Sequence, residues 1–143
     1  ITMLHVGMNI PNKRQLFNEA KRCLRPNAPF LLYDAMHTNN DKVIYPLPWA
    51  STEEDSYLST LEHYKKALDE AGFDIITVNC RREFALRFFE QQAEKIKVSG
   101  EKPALSLQTL IQNNAKLKFT QLITQIKRGV ISPIEIIAKS RSC

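Results

Sequence analysis

The sequence predicts an α/β fold: a mostly parallel sheet flanked by helices, with an all-helical insertion ahead of the last strand. Three observations predict it. Short β-prone apolar runs alternate with stretches of helical period, the pattern of a sheet whose strands are joined by helices. Phe30-Leu31-Leu32-Tyr33 is almost continuously apolar, as in a strand buried on both faces. Residues 81–130 carry helical periodicity and no strand signal. With 143 residues, 43% hydrophobic and 24% charged, the chain has the size of one globular domain, which buries about 68–70% of its unfolded surface. Its expected division is a sheet-and-helix core over 1–80, a helical insertion over 81–130, and a last strand and tail over 131–143.

Met3 to Val6 is short, apolar and β-prone, and leads into a loop, Gly7-Met8-Asn9-Ile10. Asn12, with Gln15 three residues later, has capping-box spacing. The helix it opens places Leu16, Phe17, Ala20, Cys23 and Leu24 on one face, and Pro26 ends it. Pro29 opens the second strand and Asp34 closes it. From Ala35 to Ala50 no regular structure is expected, and long excursions of that kind tend to be functional or disordered. Ser51 with Glu54 repeats the capping-box spacing, predicting a long helix with Tyr57, Leu58, Leu61, Tyr64, Leu68 and Ala71 as its stripe. Gly72 is its stop. Phe73–Cys80 is the third strand. A helix from Arg82 to about Lys97 turns Ala85, Phe88, Phe89 and Ile96 inward, and Ser99-Gly100-Glu101-Lys102-Pro103 breaks it. Leu105 to Arg128 is helical again, with Ala115, Phe119, Leu122, Ile123 and Ile126 as its apolar face, and Gly129 ends it. Ile134–Ala138 is the fourth strand.

Composition narrows the classes. No apolar run approaches the ~20 residues of a membrane helix, so no membrane partner is expected. Ile1 to Val6 lacks the pattern of a signal peptide, and Ile1 already lies inside an apolar run. Cys23, Cys80 and Cys143 are too widely spaced for a disulfide framework or a zinc pattern, so a reducing cytoplasm and no metal are expected. The net charge is +5, and from Glu94 onward nine basic residues face three acidic ones. They are dispersed rather than clustered, which reads as a solvated helical face rather than a nucleic-acid surface.

Several stretches resemble, in order, the second half of class I S-adenosylmethionine-dependent methyltransferases. His5-Val6-Gly7-Met8-Asn9-Ile10 is similar to the end of that family's fourth strand. Arg22-Cys23-Leu24-Arg25-Pro26-Asn27-Ala28-Pro29-Phe30 resembles its turn into the fifth strand, which here would end at Tyr33-Asp34. Leu68-Asp69-Glu70-Ala71-Gly72-Phe73 is similar to its approach to the sixth strand. Gly129 to Lys139 resembles the last strand of a subgroup that methylates small metabolites, and Tyr45-Pro46-Leu47-Pro48-Trp49-Ala50 resembles that subgroup's lid loop. The resemblance implies the C-terminal half of a Rossmann-like methyltransferase sheet, of about four strands with the last antiparallel. Two departures stand out. Asn27-Ala28 replaces the two glycines the family favours, and Ala does not adopt positive φ comfortably. The sequence also has no glycine-rich loop: its only glycines are Gly7, Gly72, Gly100 and Gly129.

Ligands of open α/β sheets bind at the carboxyl ends of strands, where the strand order reverses. With the resemblance, that rule places His5, Met8 and Asn9 toward the methyl group and Tyr33, Asp34 and Trp49 toward the acceptor. His5 is the candidate base, or else a histidine that caps the strand end. Met8 and Asn9 are candidate cofactor contacts, or else packing and turn residues. Tyr33 is a substrate contact or core. Asp34 could orient a cationic substrate or cap the next turn, and Trp49 could shield a sulfonium or anchor its loop. His37 and His63 have no partner spacing and are expected in solvent. The implied activity is methyl transfer from S-adenosylmethionine to a small molecule. Without the glycine-rich loop the chain alone is expected to bind that cofactor weakly or not at all. The rival expectation is a non-enzymatic module that forms a homodimer, or pairs with a separate N-terminal half, through an exposed strand edge.

Overall fold

The computed structural model describes residues 1–99 and 114–142, with backbone only over 96–99. Four strands form one sheet: β1 (Thr2–Leu4), β2 (Pro29–His37), β3 (Phe73–Cys80) and β4 (Ile131–Ser140), in the order β1-β2-β4-β3. β1 runs parallel to β2, with Met3 opposite Leu32, while β4 is antiparallel to both of its neighbours. The expected fold class holds. Because β4 inserts between β2 and β3, only one adjacent pair is parallel, although β1, β2 and β3 all run the same way.

Helices α1 (Lys13–Arg22) and α2 (Leu61–Glu70) cover one face of the sheet. Alternation puts Phe30, Leu32 and Met36 of β2 and Ile134, Ile136 and Ala138 of β4 against Phe17, Tyr64 and Leu68, all buried. Each such side chain contributes roughly 1.5–3 kcal/mol relative to exposure. The upper part of the opposite face carries a second core. There Ala35, Leu47, Val130 and Ile131 pack with Val43, Tyr45, Trp49, Leu58 and Leu122. Helices α3 (Arg82–Ser99) and α4 (Ala115–Arg128) pack on each other, and Arg82 donates to the terminal carbonyls of Ile126 and Lys127. The expected break beyond Ser99, the helix start at Leu105, the inward place of Ile96 and the state of Cys143 lie outside the described residues. Among those residues no helix is long and apolar enough to cross a membrane.

Several boundaries differ from expectation. β1 ends at Leu4 rather than Val6, and Gly7–Asn9 is a short 3-10 turn rather than open loop. β2 runs to His37 instead of stopping at Asp34, because β4 starts at Ile131 and supplies pairing partners that far. The helix expected from Ser51 starts ten residues later, at Leu61, where the Thr60 side chain accepts from the His63 amide. The reason is tertiary. The Tyr57 amide is bonded to the Met8 carbonyl at 2.9 Å, which removes it from any helical ladder. At the turn after Pro26, Asn27 alone takes the positive φ (63°), so Ala28 is spared.

Replacing Thr60 with Ala is expected to lower stability by about 1 kcal/mol, the usual worth of a helix cap. Ser51→Ala should stay within ±0.5 kcal/mol, as for an exposed surface change. Urea unfolding of both variants measures this directly.

Candidate functional site

Where β1 ends, the chain must leave the sheet without losing its place beside β2. His5 does this in the left-handed region (φ 54°), which histidine tolerates better than most residues, and its amide still donates to the Tyr33 carbonyl at 2.8 Å. Its ring sits edge-on to Tyr33, with centroids 5.1 Å apart. In the 3-10 turn that follows, the amide of Asn9 donates to the Val6 carbonyl and that of Ile10 to the Gly7 carbonyl. His5 and Asn9 are exposed, whereas Met8 is buried.

Beneath that turn lies a buried polar centre. Asp34 is fully buried and accepts from the Tyr64 hydroxyl at 2.8 Å and from the Ala35 amide at 3.0 Å. Residue 7 has to be glycine, because a Cβ there would collide with the Asp34 carboxylate and the Tyr64 hydroxyl. Lys13 is also buried. Its ammonium donates to the carbonyls of Ile10 (2.6 Å) and Tyr57 (2.8 Å) and lies 5.5 Å from the centre of the Tyr64 ring. Burial shifts each group toward its neutral form. Asp34 is raised by desolvation, against the pull of Tyr64, the Ala35 amide, His5 and Lys13. Lys13 is lowered by desolvation, with Asp34 opposing. Tyr64 is raised by burial and by the Asp34 charge.

Tyr33 points the other way, as the next residue of a strand must. It is half-buried, and desolvation raises its hydroxyl. Its cross-strand neighbour is Glu135, which accepts from Arg81 through two nitrogens and from Asn79 at 2.8 Å. Those bonds hold the Glu135 carboxyl below its ordinary range, Asn79 first and Arg81 next. Trp49 lies in the second core and donates its indole N–H to Ser56 Oγ at 3.2 Å.

The structure therefore joins His5 to Tyr33 and leaves Asn9 exposed at the end of the turn that follows. Met8 and Asp34 face the interior, and Trp49 anchors the 44–58 loop. His37, expected in solvent, is half-buried and donates through Nε2 to the Asp41 carbonyl at 2.9 Å. His63 is exposed, with Nδ1 2.6 Å from Ser59 Oγ. A shallow depression of about 270 Å³ at the carboxyl end of β2 is lined by His37, Thr38, Asn39, Asn40, Thr60, Leu61 and Glu62. Among the described residues no group of three or more His, Cys, Asp or Glu could hold a metal. Sequence reasoning missed Lys13, and it saw Tyr57 and Tyr64 only as the apolar stripe of one helix, whereas Tyr57 precedes α2 and is exposed. No local signal marks a lysine at a helix start for burial.

The fold matches solved methyltransferase structures. A candidate sarcosine dimethylglycine methyltransferase from Galdieria sulphuraria is 18% identical, with a TM-score of 0.71, and the match covers 99% of this chain and 52% of that one. Phosphoethanolamine N-methyltransferase 2 of Haemonchus contortus, solved with S-adenosylmethionine, is 16% identical with a TM-score of 0.71, covering 99% of this chain and 33% of that one. Geranyl diphosphate C-methyltransferase from Streptomyces coelicolor A3(2) is 16% identical with a TM-score of 0.65, covering 96% and 45%. No protein-family model matches the sequence, and no curated protein matches it. The chain thus shares the Rossmann-like fold of these methyltransferase structures, matching part of each. It spans between about a third and a half of the length of these three structures.

An acid whose folded pKa is raised stabilises the fold when protonated. That contribution is complete below the unfolded-chain value of about 3.9 and is lost as pH rises through the folded value. Asp34→Asn is therefore expected to flatten the decline in stability above about pH 4. Urea unfolding across that range measures it, and an unchanged slope would count against a buried Asp34.

Proposed function

We propose that this chain is the acceptor-side half of an S-adenosylmethionine-dependent methyltransferase that acts on a small molecule. The observation carrying the reading is that nearly all of the chain superimposes on about half of a solved methyltransferase, with His5 and Asn9 exposed at the carboxyl end of the sheet. The cofactor would supply an electrophilic methyl group on a sulfonium. The residues present fit one side of such a ligand: an imidazole and a carboxamide are available at the turn, but the sequence has no glycine-rich loop to admit the rest.

Within this reading His5 accepts the proton that the acceptor loses, an assistance worth about 10²–10⁴-fold where a proton must leave. The Tyr33 ring sets the tilt of that imidazole through its edge contact. Trp49, with Tyr45 and Leu47, walls the acceptor side and excludes water. Asn9 and the turn around Met8 fix the cofactor side. Asp34 acts from below, holding the turn through Gly7 and Tyr64. The exposed, unpaired thiols of Cys23 and Cys80 suit a reducing compartment such as the cytoplasm.

A second reading is an association module, with or without chemistry. It is favoured by the outer edge of β1, which no strand among the described residues pairs, and by the exposure of Ile1 (48%), Leu4 (54%) and Val6 (38%) around it. The partner would be a second copy of this chain or a separate N-terminal half.

Titration of the chain with S-adenosylhomocysteine, followed by amide NMR, tests the first reading. Shifts confined to residues 5–9 and 33–34, with a Kd weaker than about 1 mM, are expected for one wall of a pocket. No shifts at saturating ligand, or shifts elsewhere, contradict it, and micromolar affinity contradicts the half-pocket. Light scattering that finds a clean monomer at high concentration would remove the homodimer.

A further inference from the structure

Among the described residues Lys13 is the one buried cationic side chain. It occupies the first position of α1, at the positive end of the helix dipole, with no acidic residue in the first turn, and it is 2% exposed. A cation is disfavoured there twice over, by desolvation and by the dipole. Its compensation comes from four separate places in the chain. Ile10 lends a carbonyl from the turn before α1, and Tyr57 lends one from the segment before α2. Tyr64 of α2 presents its ring, while Asp34 of β2 acts through space with its carboxylate bonded to Tyr64.

These bonds clamp one residue completely. The Tyr57 amide donates to the Met8 carbonyl, and the Tyr57 carbonyl accepts from Lys13. Of the two polar backbone groups of Tyr57, one is thus committed to the stretch that holds the candidate cofactor side and the other to the start of α1. The next residue back, Ser56, accepts from the Trp49 indole and, at 3.4 Å, from the Leu58 amide. At the other end of the same loop Gln125, buried on α4, clamps Ile44 in the same way. The Ile44 amide donates to Gln125 Oε1, and Gln125 Nε2 donates to the Ile44 carbonyl. Residues 44–57 therefore span two backbone clamps, with Trp49 between them. Of the two, only the clamp at Tyr57 reaches the Gly7–Asn9 turn, directly through the Met8 carbonyl and through Lys13 at Ile10, the residue that caps the turn.

We propose that Lys13 is a positioning residue that latches the Trp49 loop to the Gly7–Asn9 turn, so that the two walls of the candidate site move as one unit. The assignment of those walls to acceptor and cofactor rests on the function proposed above. The latch itself does not, and it is measured with no ligand present. A merely structural lysine would give a different result from a latch. Its loss would weaken the whole fold evenly, whereas loss of a latch frees one loop and leaves the sheet as it was.

Trp49 is the only tryptophan and so reports on the loop alone. Lys13→Met is expected to raise the exchange rate of the Tyr57 amide about tenfold or more, as for loss of a charge-assisted hydrogen bond. It should also increase acrylamide quenching of Trp49, while amides of β2 and β4 exchange as in the wild type. Uniform acceleration across the chain, or no change at Tyr57 and Trp49, overturns the proposal. Should Lys13→Met fail to fold, Ser56→Ala breaks the line one step later. Trp49 quenching should then rise while the Tyr57 amide stays protected, and unchanged quenching overturns the latch between Tyr57 and Trp49. Failure of the S-adenosylhomocysteine titration alone would leave these outcomes untouched and would count only against the proposed function.

Discussion

A single hydrogen bond, from the Tyr64 hydroxyl to the Asp34 carboxylate, sits where the architecture converges. It joins the middle of α2 to the central part of β2, and it is closed from above by the backbone of Gly7. A buried carboxylate without partners would be untenable. Asp34 therefore needs Tyr64 and the Ala35 amide, and Lys13 contributes its field. The requirement passes upward. Because the space over this pair admits only a glycine, the chain leaving β1 follows one path, and His5 and Asn9 are placed by it.

The same centre explains why the two faces of β2 have separate roles. Phe30, Leu32, Asp34 and Met36 look toward α1 and α2, while Tyr33 looks toward the half-open face with Glu135 and Arg81. Adjacent strand residues thus divide the work. One builds the support and its neighbour is available to a ligand. The helix-covered face is closed. The opposite face is covered near the carboxyl ends by the Trp49 loop and α4, and farther down Leu31, Glu135 and Ile137 remain partly accessible.

Much of this was legible in the residues, for reasons that can be named. Asn12 caps α1 and bonds the Gln15 amide as its spacing implies, and Gly72 and Gly129 take the left-handed conformations that stop α2 and α4. Such signals are local, so the sequence carries them openly. The start of α2 was not legible. Ser51 and Glu54 have the spacing of a cap, yet the segment between them and Thr60 is held by Met8 and Lys13, residues more than forty positions away. For the site, topology pointed to the neighbourhood of the β1 and β2 ends, although β1 stops at Leu4 and β2 runs on to His37, and it left open which side each residue faces. Met8 precedes the exposed Asn9 and Asp34 follows the half-buried Tyr33, yet both are interior. Lys13 was invisible, because burial of a lysine depends on carbonyls that only the folded chain assembles.

The account stands or falls on the close fit over Asp34 and Tyr64, and Gly7→Ala addresses it with one methyl group. Equilibrium unfolding in urea should show a loss of about 1–3 kcal/mol, the usual cost of overpacking a buried site. Amide shifts should reach His5 through Asn9 and Tyr57. A variant as stable as the wild type, with the turn undisturbed, would mean that nothing is packed beneath residue 7 and would contradict the account.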